Sequence, residues 1–327
     1  MHRSWLLACL VLGTIGSAPG ASAAGDPCAA PALTSDGWEV ATPEAAGFDA
    51  SALCAELSAV ARGEANLHAV IIERHGRLVA ELYRAGHDAP IDEHYGLGNP
   101  FAADVTFDAD TLHDTRSISK SVVGLLVGIA QQGGRMPSLD TSVLSLFPEL
   151  ADLRTPERAA ITIEQLLSMS SGLAWDEWDA GALTSDETRL FWKSDLVRFV
   201  FDRPLEFPPG AHFNYNGGGT ATLAELLTRG GKPLVEQARE ELFEPLGITH
   251  WEWATDLRDR PLAFAGLRLR PRDMAKLGRL VLQGGRWRGR QLVPEAWVAA
   301  SLRKQIETGL RMPPDVEGGL GYGYQWW

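Results

Sequence analysis

The sequence predicts an α/β (α+β) fold, in which an antiparallel sheet is flanked by helices and an all-helical region is inserted into it. Three observations predict it. Two aliphatic runs within Ala69–Arg84 meet at His75–Gly76, the pattern of an antiparallel hairpin. A helix beginning near Ser117 is apolar nearly all round and must be buried. Between about Pro137 and Pro261 the pattern changes to short helical stretches broken by proline and glycine. These changes divide the chain into residues 24–136 and 262–327, which form the sheet domain, and residues 137–261, which form the helical region.

The elements follow in chain order. Residues 1–23 carry Arg3, a short apolar run and the triplet Ala21-Ser22-Ala23, which reads as a secretory signal cut after Ala23. The apolar stretch from Trp5 to Gly16 is too short to span a bilayer, so export is expected rather than stable membrane insertion, to a periplasmic or extracellular location. Cys28 and Cys54 remain after removal of Cys9, and in an exported chain they are either bridged or buried thiols. The hairpin opens the sheet. Helix Ser117–Gln132 is stopped by Gly133-Gly134. Within the helical region, "TIEQLLSMSSGL" and "TATLAELLTRGG" read as helices, and "RPRDMAKLGRLVLQGG" and "VPEAWVAASLRK" as amphipathic helices beyond it. The aromatic "GYGYQWW" reads as the start of a strand.

The 327 residues are 45% hydrophobic and 22% charged, ample for a large core, with no repeat of fixed period. The net charge of −12 disfavours nucleic acid and anionic membranes as partners. The eight histidines are scattered and no Cys/His cluster has ligand spacing, so neither a metal nor another cofactor is expected.

The chemistry is concentrated at Ser117 and Lys120. Three positions apart on a helix, they share a face, with the serine in the first turn and one of only five lysines a turn deeper. Burial among apolar side chains disfavours an ammonium, so Lys120 is expected to be neutral near pH 7 and able to take the serine's proton. The helix N-terminus and the Ser117 N–H would stabilise a developing oxyanion. The plain alternative is that Ser117 caps the helix and Lys120 snorkels to solvent. Ser301-Leu302-Arg303-Lys304 has the same spacing but lies late in an amphipathic helix, where a solvated face explains it.

A second segment, "PPGAHFNYNGGG", presents Tyr215 as a proton relay and Asn216 as a donor to a substrate carbonyl, with three glycines that let backbone approach a ligand. A third, Ala174–Asp195, combines Trp175, Trp178 and Trp192 with several acids. It is either a lid whose tryptophans contact substrate and whose acids favour an amine, or an aromatic surface loop.

The stretches "RSISKSVVG", "IEQLLSMSSGLAW", "PPGAHFNYNGGG", "GLRLRPRDMAKLGRLVLQGG" and "GYGYQWW" together resemble the serine β-lactamase and penicillin-binding-protein superfamily. The likeness is to its class C-like branch of esterases, D-aminopeptidases and 6-aminohexanoate-dimer hydrolases. The resemblance implies a β-lactamase/transpeptidase-like fold with Ser117 as acylated nucleophile, Lys120 as general base and Tyr215 as the tyrosine of the Tyr-x-Asn motif. Here Asn216 directly follows Tyr215, one place earlier than in that motif. The Lys-Thr-Gly strand of the superfamily has no counterpart, since Glu307-Thr308-Gly309 lacks the cation. The expectation is therefore a chain missing C-terminal strands, with one oxyanion donor fewer. The function implied is hydrolysis of an amide or ester in a small molecule, short peptide or oligoamide. The alternative is a non-turnover penicillin-binding or sensor protein on the same scaffold.

Overall fold

The computed structural model describes residues 28–88, 91, 103–177, 184–310 and 319–327; the segment read as a signal and Trp178 lie outside them. In chain order the elements are β1 (Glu39–Val40), α1 (Ala50–Arg62), β2 (Ala69–Arg74), β3 (Arg77–Tyr83), β4 (Ala85–Asp88), β5 (Ala103–Thr106), β6 (His113–Asp114) and α2 (Ile118–Gln132). The short helices α3 (Pro156–Ala159), α4 (Ile163–Leu167), α5 (Asp186–Leu190) and α6 (Leu196–Phe201) precede the longer α7 (Gly217–Arg229), followed by α8 (Leu234–Gln237), a π-helical turn and α9 (Glu244–Leu246). The chain then forms β7 (Trp251–Trp253), β8 (Leu267–Leu269), α10 (Pro271–Leu282), β9 (Arg286–Trp287), β10 (Arg290–Gln291), α11 (Glu295–Leu302), β11 (Ile306–Glu307) and β12 (Gly321–Tyr322).

The predicted hairpin is β2–β3. His75 and Gly76 take φ of 52° and 84°, the two left-handed positions that let a two-residue turn follow the twist of the strands. A shift of register between Ile72 and Glu73 bends the ladder, and β1 joins its other edge in parallel. The order of this sheet is β1-β3-β2, and a second three-stranded sheet runs β6-β8-β7. The sheet secondary structure is thus distributed over short ladders, and β7 falls within residues 137–261, the segment read as helical.

A main apolar core joins most of these elements, and a smaller cluster of Met169, Tyr215 and Tyr322 holds β11 and β12. Val122, Val123, Leu125, Leu126 and Val127 of α2 are at most 1% exposed and lie between α7 on one side and α11 on another. Gly128 permits the second contact: a Cβ there would stand 2.2 Å from the Trp297 ring, whose indole N–H donates to the Gly124 carbonyl at 3.0 Å. After β12 the chain turns inward at Gln325, held at φ 64°. Its side chain accepts from Thr220 Oγ1 (2.6 Å) and donates to the Leu166 and Leu167 carbonyls, so the last residues are fastened to α4 and α7.

The N-terminal segment is fastened twice. Cys28 and Cys54 form a disulfide. Arg272, buried on α10, pairs with Asp36 at 3.1 Å and Glu81 at 2.7 Å and donates to the Ala32 carbonyl. No helix among the described residues is long and apolar enough to cross a membrane.

Candidate active site

Strand β6 fixes the entrance to α2. The N–H and Oγ1 of Thr115 both donate to the Leu267 carbonyl of β8, at 2.9 and 2.8 Å, and Ser119 Oγ accepts the Leu267 N–H at 3.1 Å. Between these anchors Arg116 takes φ 49°, a left-handed conformation costly for a side chain-bearing residue, and this reverses the chain into the helix. Ser117 follows at the helix N-cap position without a side-chain capping bond, exposed at the mouth of the site. The reading of Ser117 as a mere cap is therefore not met.

Lys120 is 1% exposed and does not snorkel. Its Nζ donates to Ser117 Oγ (3.3 Å), Glu187 Oε2 (3.1 Å) and the Phe264 carbonyl (3.0 Å), and it lies 4.8 Å from the centre of the Tyr215 ring. Burial alone pushes the pKa of this amine down. The charge of Glu187 foremost, joined by that of Glu177 where it is ionised, outweighs burial and holds it above the ordinary lysine value. Lys120 therefore rests as an ammonium, which corrects the expectation of a neutral amine: its own helix is apolar, but two carboxylates reach it from elsewhere.

Those carboxylates come from the third segment. Glu187 sits in α5, whose N-cap Ser185 accepts the Thr188 N–H at 3.1 Å and whose Asp186 pairs with Arg203 at 2.8 Å and accepts the Asp176 N–H at 3.1 Å. Glu177 Oε1 accepts from the Trp175 indole N–H at 2.9 Å and from the Gly217 N–H. Burial, joined by the charge of Glu187, pushes the Glu177 carboxyl up to about 8, with Lys120 opposing. Trp175 is thus a buried support for Glu177, packed on Gly218 and Phe199, and not a substrate-contacting lid residue.

Tyr215 shares a hydrogen bond with Ser117, and burial raises its pKa against the opposing effects of Lys120 and that bond. It stacks on Trp327 with centroids 5.4 Å apart. Beside it Phe213, Thr308, Leu310, Leu320 and Trp327 line an open, mainly apolar cavity of about 590 Å³. Asn216 lies 3% exposed as the N-cap of α7, its Oδ1 accepting the Gly219 N–H at 3.0 Å. Its Nδ2 is buried with no partner among the described residues. The three glycines after it form the first turn of α7 and not the ligand-facing loop expected from their flexibility. Ser117, Lys120 and Tyr215 are therefore brought together, Asn216 adjoins them as a cap, and Trp175 stands behind the site.

The sequence profile described as Beta-lactamase matches residues 61–327. The chain belongs to the beta-lactamase family. A relative in this family, the lovastatin esterase of Penicillium rubens, is 30% identical over 174 residues, covering 45% of this chain and 41% of that protein. Protein flp of Staphylococcus aureus is 26% identical over 141 residues, 43% of this chain and 28% of that one. The chain thus spans less than half the length of these curated relatives. Among solved beta-lactamase-like structures, a Bacillus anthracis protein assigned as a 6-aminohexanoate-dimer hydrolase superposes with a TM-score of 0.59 at 22% identity, covering 79% of this chain and 64% of that one. EstCE1, a hydrolase with promiscuous acyltransferase activity, gives 0.57 at 18% identity over 79% and 76%. The expected fold is confirmed.

Glu177 and Glu187 are the site residues that sequence reasoning left unnumbered. They stand 57 and 67 positions beyond Lys120, and no local spacing marks them as its neighbours.

Proposed function

We propose that the protein is an exported serine hydrolase that cleaves an ester or amide through an acyl-enzyme on Ser117. The carrying observation is an exposed Ser117 at the N-terminus of a buried helix, with Lys120 Nζ 3.3 Å from its Oγ and Tyr215 hydrogen-bonded to it. Ser117 Oγ attacks the substrate carbonyl as its proton passes to Lys120, which gives up one of its own ammonium protons in the same step. The tetrahedral oxyanion forms against the Ser117 N–H and the positive end of α2. Tyr215 relays a proton to the leaving group, and water then repeats the attack on the ester.

The similarity to an esterase and the apolar cavity beside Tyr215 support a substrate with an apolar substituent; the acids near Lys120 support an amine-bearing one. The disulfide supports an oxidising compartment after removal of residues 1–23. A two-part organisation, residues 24–136 with 262–327 and an inserted 137–261, is part of the same proposal.

The test is turnover of p-nitrophenyl esters and labelling by a fluorescent penicillin in the wild type and in Ser117→Ala. Steady turnover lost in the variant is expected. A stable label without turnover would replace the hydrolase by the sensor reading, and undiminished turnover in Ser117→Ala would end both.

A further inference from the structure

A resting ammonium poses a chemical problem for the hydrolase reading, on which this inference rests. Lys120 Nζ has three protons and three acceptors, Ser117 Oγ, Glu187 Oε2 and the Phe264 carbonyl, so it has no lone pair with which to take the serine's proton. We propose that Glu187 is the proton acceptor behind Lys120, a relay residue that takes an ammonium proton as Ser117 attacks and returns it when the leaving group departs.

The three acceptors differ in what they can hold. A backbone carbonyl is too weak a base to accept a proton outright, and Ser117 Oγ is the group that must lose one. Only the Glu187 carboxylate, 3.1 Å from Nζ, can receive it. The second carboxyl is otherwise engaged: Glu177 Oε1 already accepts two N–H groups, from Trp175 and Gly217, and the three bonds of Lys120 Nζ go to Ser117, Glu187 and the Phe264 carbonyl. Exposure separates the pair as well. The Lys120 side chain is 1% exposed and has no path of its own to solvent, whereas that of Glu187 is 27% exposed at the rim. The anchoring of α5 through Ser185 and Asp186 holds the carboxylate in place, as a relay requires.

The protons balance. As the Ser117 Oγ–carbon bond forms, the Oγ–H bond breaks and its proton goes to Lys120 Nζ, while one N–H proton of Lys120 moves to Glu187 Oε2. When the tetrahedral intermediate collapses, the bond from carbon to the leaving oxygen or nitrogen breaks, and that atom takes a proton from Lys120 through Tyr215. Glu187 then returns its proton to Lys120. Deacylation repeats the cycle with water in place of the serine hydroxyl.

Glu187→Gln keeps an amide oxygen that can accept from Lys120 but cannot take up a proton. With a p-nitrophenyl ester as probe, kcat is expected to fall on the order of 10²-fold, KM to stay within about threefold, and the thermal midpoint to stay close to that of the wild type. A kcat within about threefold of wild type, or above it, overturns the proposal; burial would then neutralise Lys120 and the carboxylate would be a brake. Glu187→Ala provides the second arm. Added formate, a free carboxylate, is expected to restore part of its lost kcat, and failure of formate to do so overturns the proposal even if the glutamine variant does not fold. Ser117→Ala separates the two levels. Turnover surviving there sinks the hydrolase reading itself, while its loss together with a fully active Glu187→Gln sinks only the relay.

Discussion

Gly217→Ala tests the construction of the site with a single methyl group. A Cβ at this position would stand 2.7 Å from Glu187 Oε2 and 2.8 Å from Glu177 Oε1, against about 3.3 Å for an ordinary carbon–oxygen approach. Both obstacles are tips of flexible side chains, so the carboxylates give way rather than the backbone. Moving Glu187 Oε2 by roughly 0.5 Å would stretch its 3.1 Å bond to Lys120 beyond useful hydrogen-bond length. A misplacement of this size costs on the order of 10–10² in kcat. Stability should change little, because alanine in a helix gains about 0.5–1 kcal/mol over glycine while a weakened bond to Glu177 loses about as much. The control lies one residue on. In Gly218→Ala the new Cβ meets Val200 Cγ2 at 2.5 Å and Trp175 Cη2 at 2.7 Å, both in the packed core, so overpacking should cost about 1–3 kcal/mol. Ester turnover and thermal unfolding of the two variants are the assays. Full activity in Gly217→Ala, or a loss of stability equal to that of Gly218→Ala, would refute the claim that this glycine exists to let two carboxylates converge.

Three further outcomes are expected. The Glu177 carboxyl, raised by burial and by Glu187 to about 8, binds a proton in the folded state that the unfolded chain releases near 4.5, so its contribution to stability is full below that pH and is lost as pH rises to about 8. Glu177→Gln should flatten the decline of the thermal midpoint across that window, and an unchanged slope would count against a neutral Glu177. Arg272→Ala leaves Asp36 and Glu81 without their cation; despite burial, the Asp36 carboxyl is held below its ordinary value by Thr34 and Arg272, and that of Glu81 chiefly by Arg272. A loss of about 3–5 kcal/mol in denaturant unfolding is expected, and less than about 1 would show the cluster to be solvated. Cys54→Ser opens the link to Cys28, 26 positions away, and should cost about 3 kcal/mol, read as the difference from the oxidised wild type.

Much of the fold was legible because it is written in local pattern. His75–Gly76 between two aliphatic runs marks its turn through a glycine and a histidine, one of the few other side chains enriched at left-handed positions, and the uniformly apolar face of Val122–Ala130 leaves α2 no place but the core. The solvated face read for Ser301 and Lys304 holds for Lys304 alone, which lies past the end of α11 and pairs with Glu307 in solvent, whereas Ser301 is buried in α11. The sheet's division into short ladders was not legible, since β6, β9, β10, β11 and β12 are only two residues long and carry no periodicity to read. Nor was the state of Gly217–Gly219: three glycines argue for a loop, yet Asn216 caps them into a helix that needs their missing side chains to seat Trp175 and the two acids.

The charge of Lys120 shows where local reading fails in sign and not only in detail. Its neighbours along α2 are apolar, and from them alone a depressed pKa follows. Desolvation acts through every surrounding group, but Coulombic attraction at about 3 Å in a low-dielectric interior is decided by one or two atoms, and the nearest of those belongs to Glu187, on a segment the chain reaches only after the rest of the helical region has begun. A buried ammonium without such a partner would be strongly disfavoured, and the half-buried Glu187 makes the burial of Lys120 tolerable. On the proposed mechanism, activation of Ser117 is not a property of the Ser-x-x-Lys turn by itself. It belongs to the turn together with α5, and any variant that moves α5, even with Ser117 and Lys120 intact, should lower the acylation rate while leaving the serine free to react slowly.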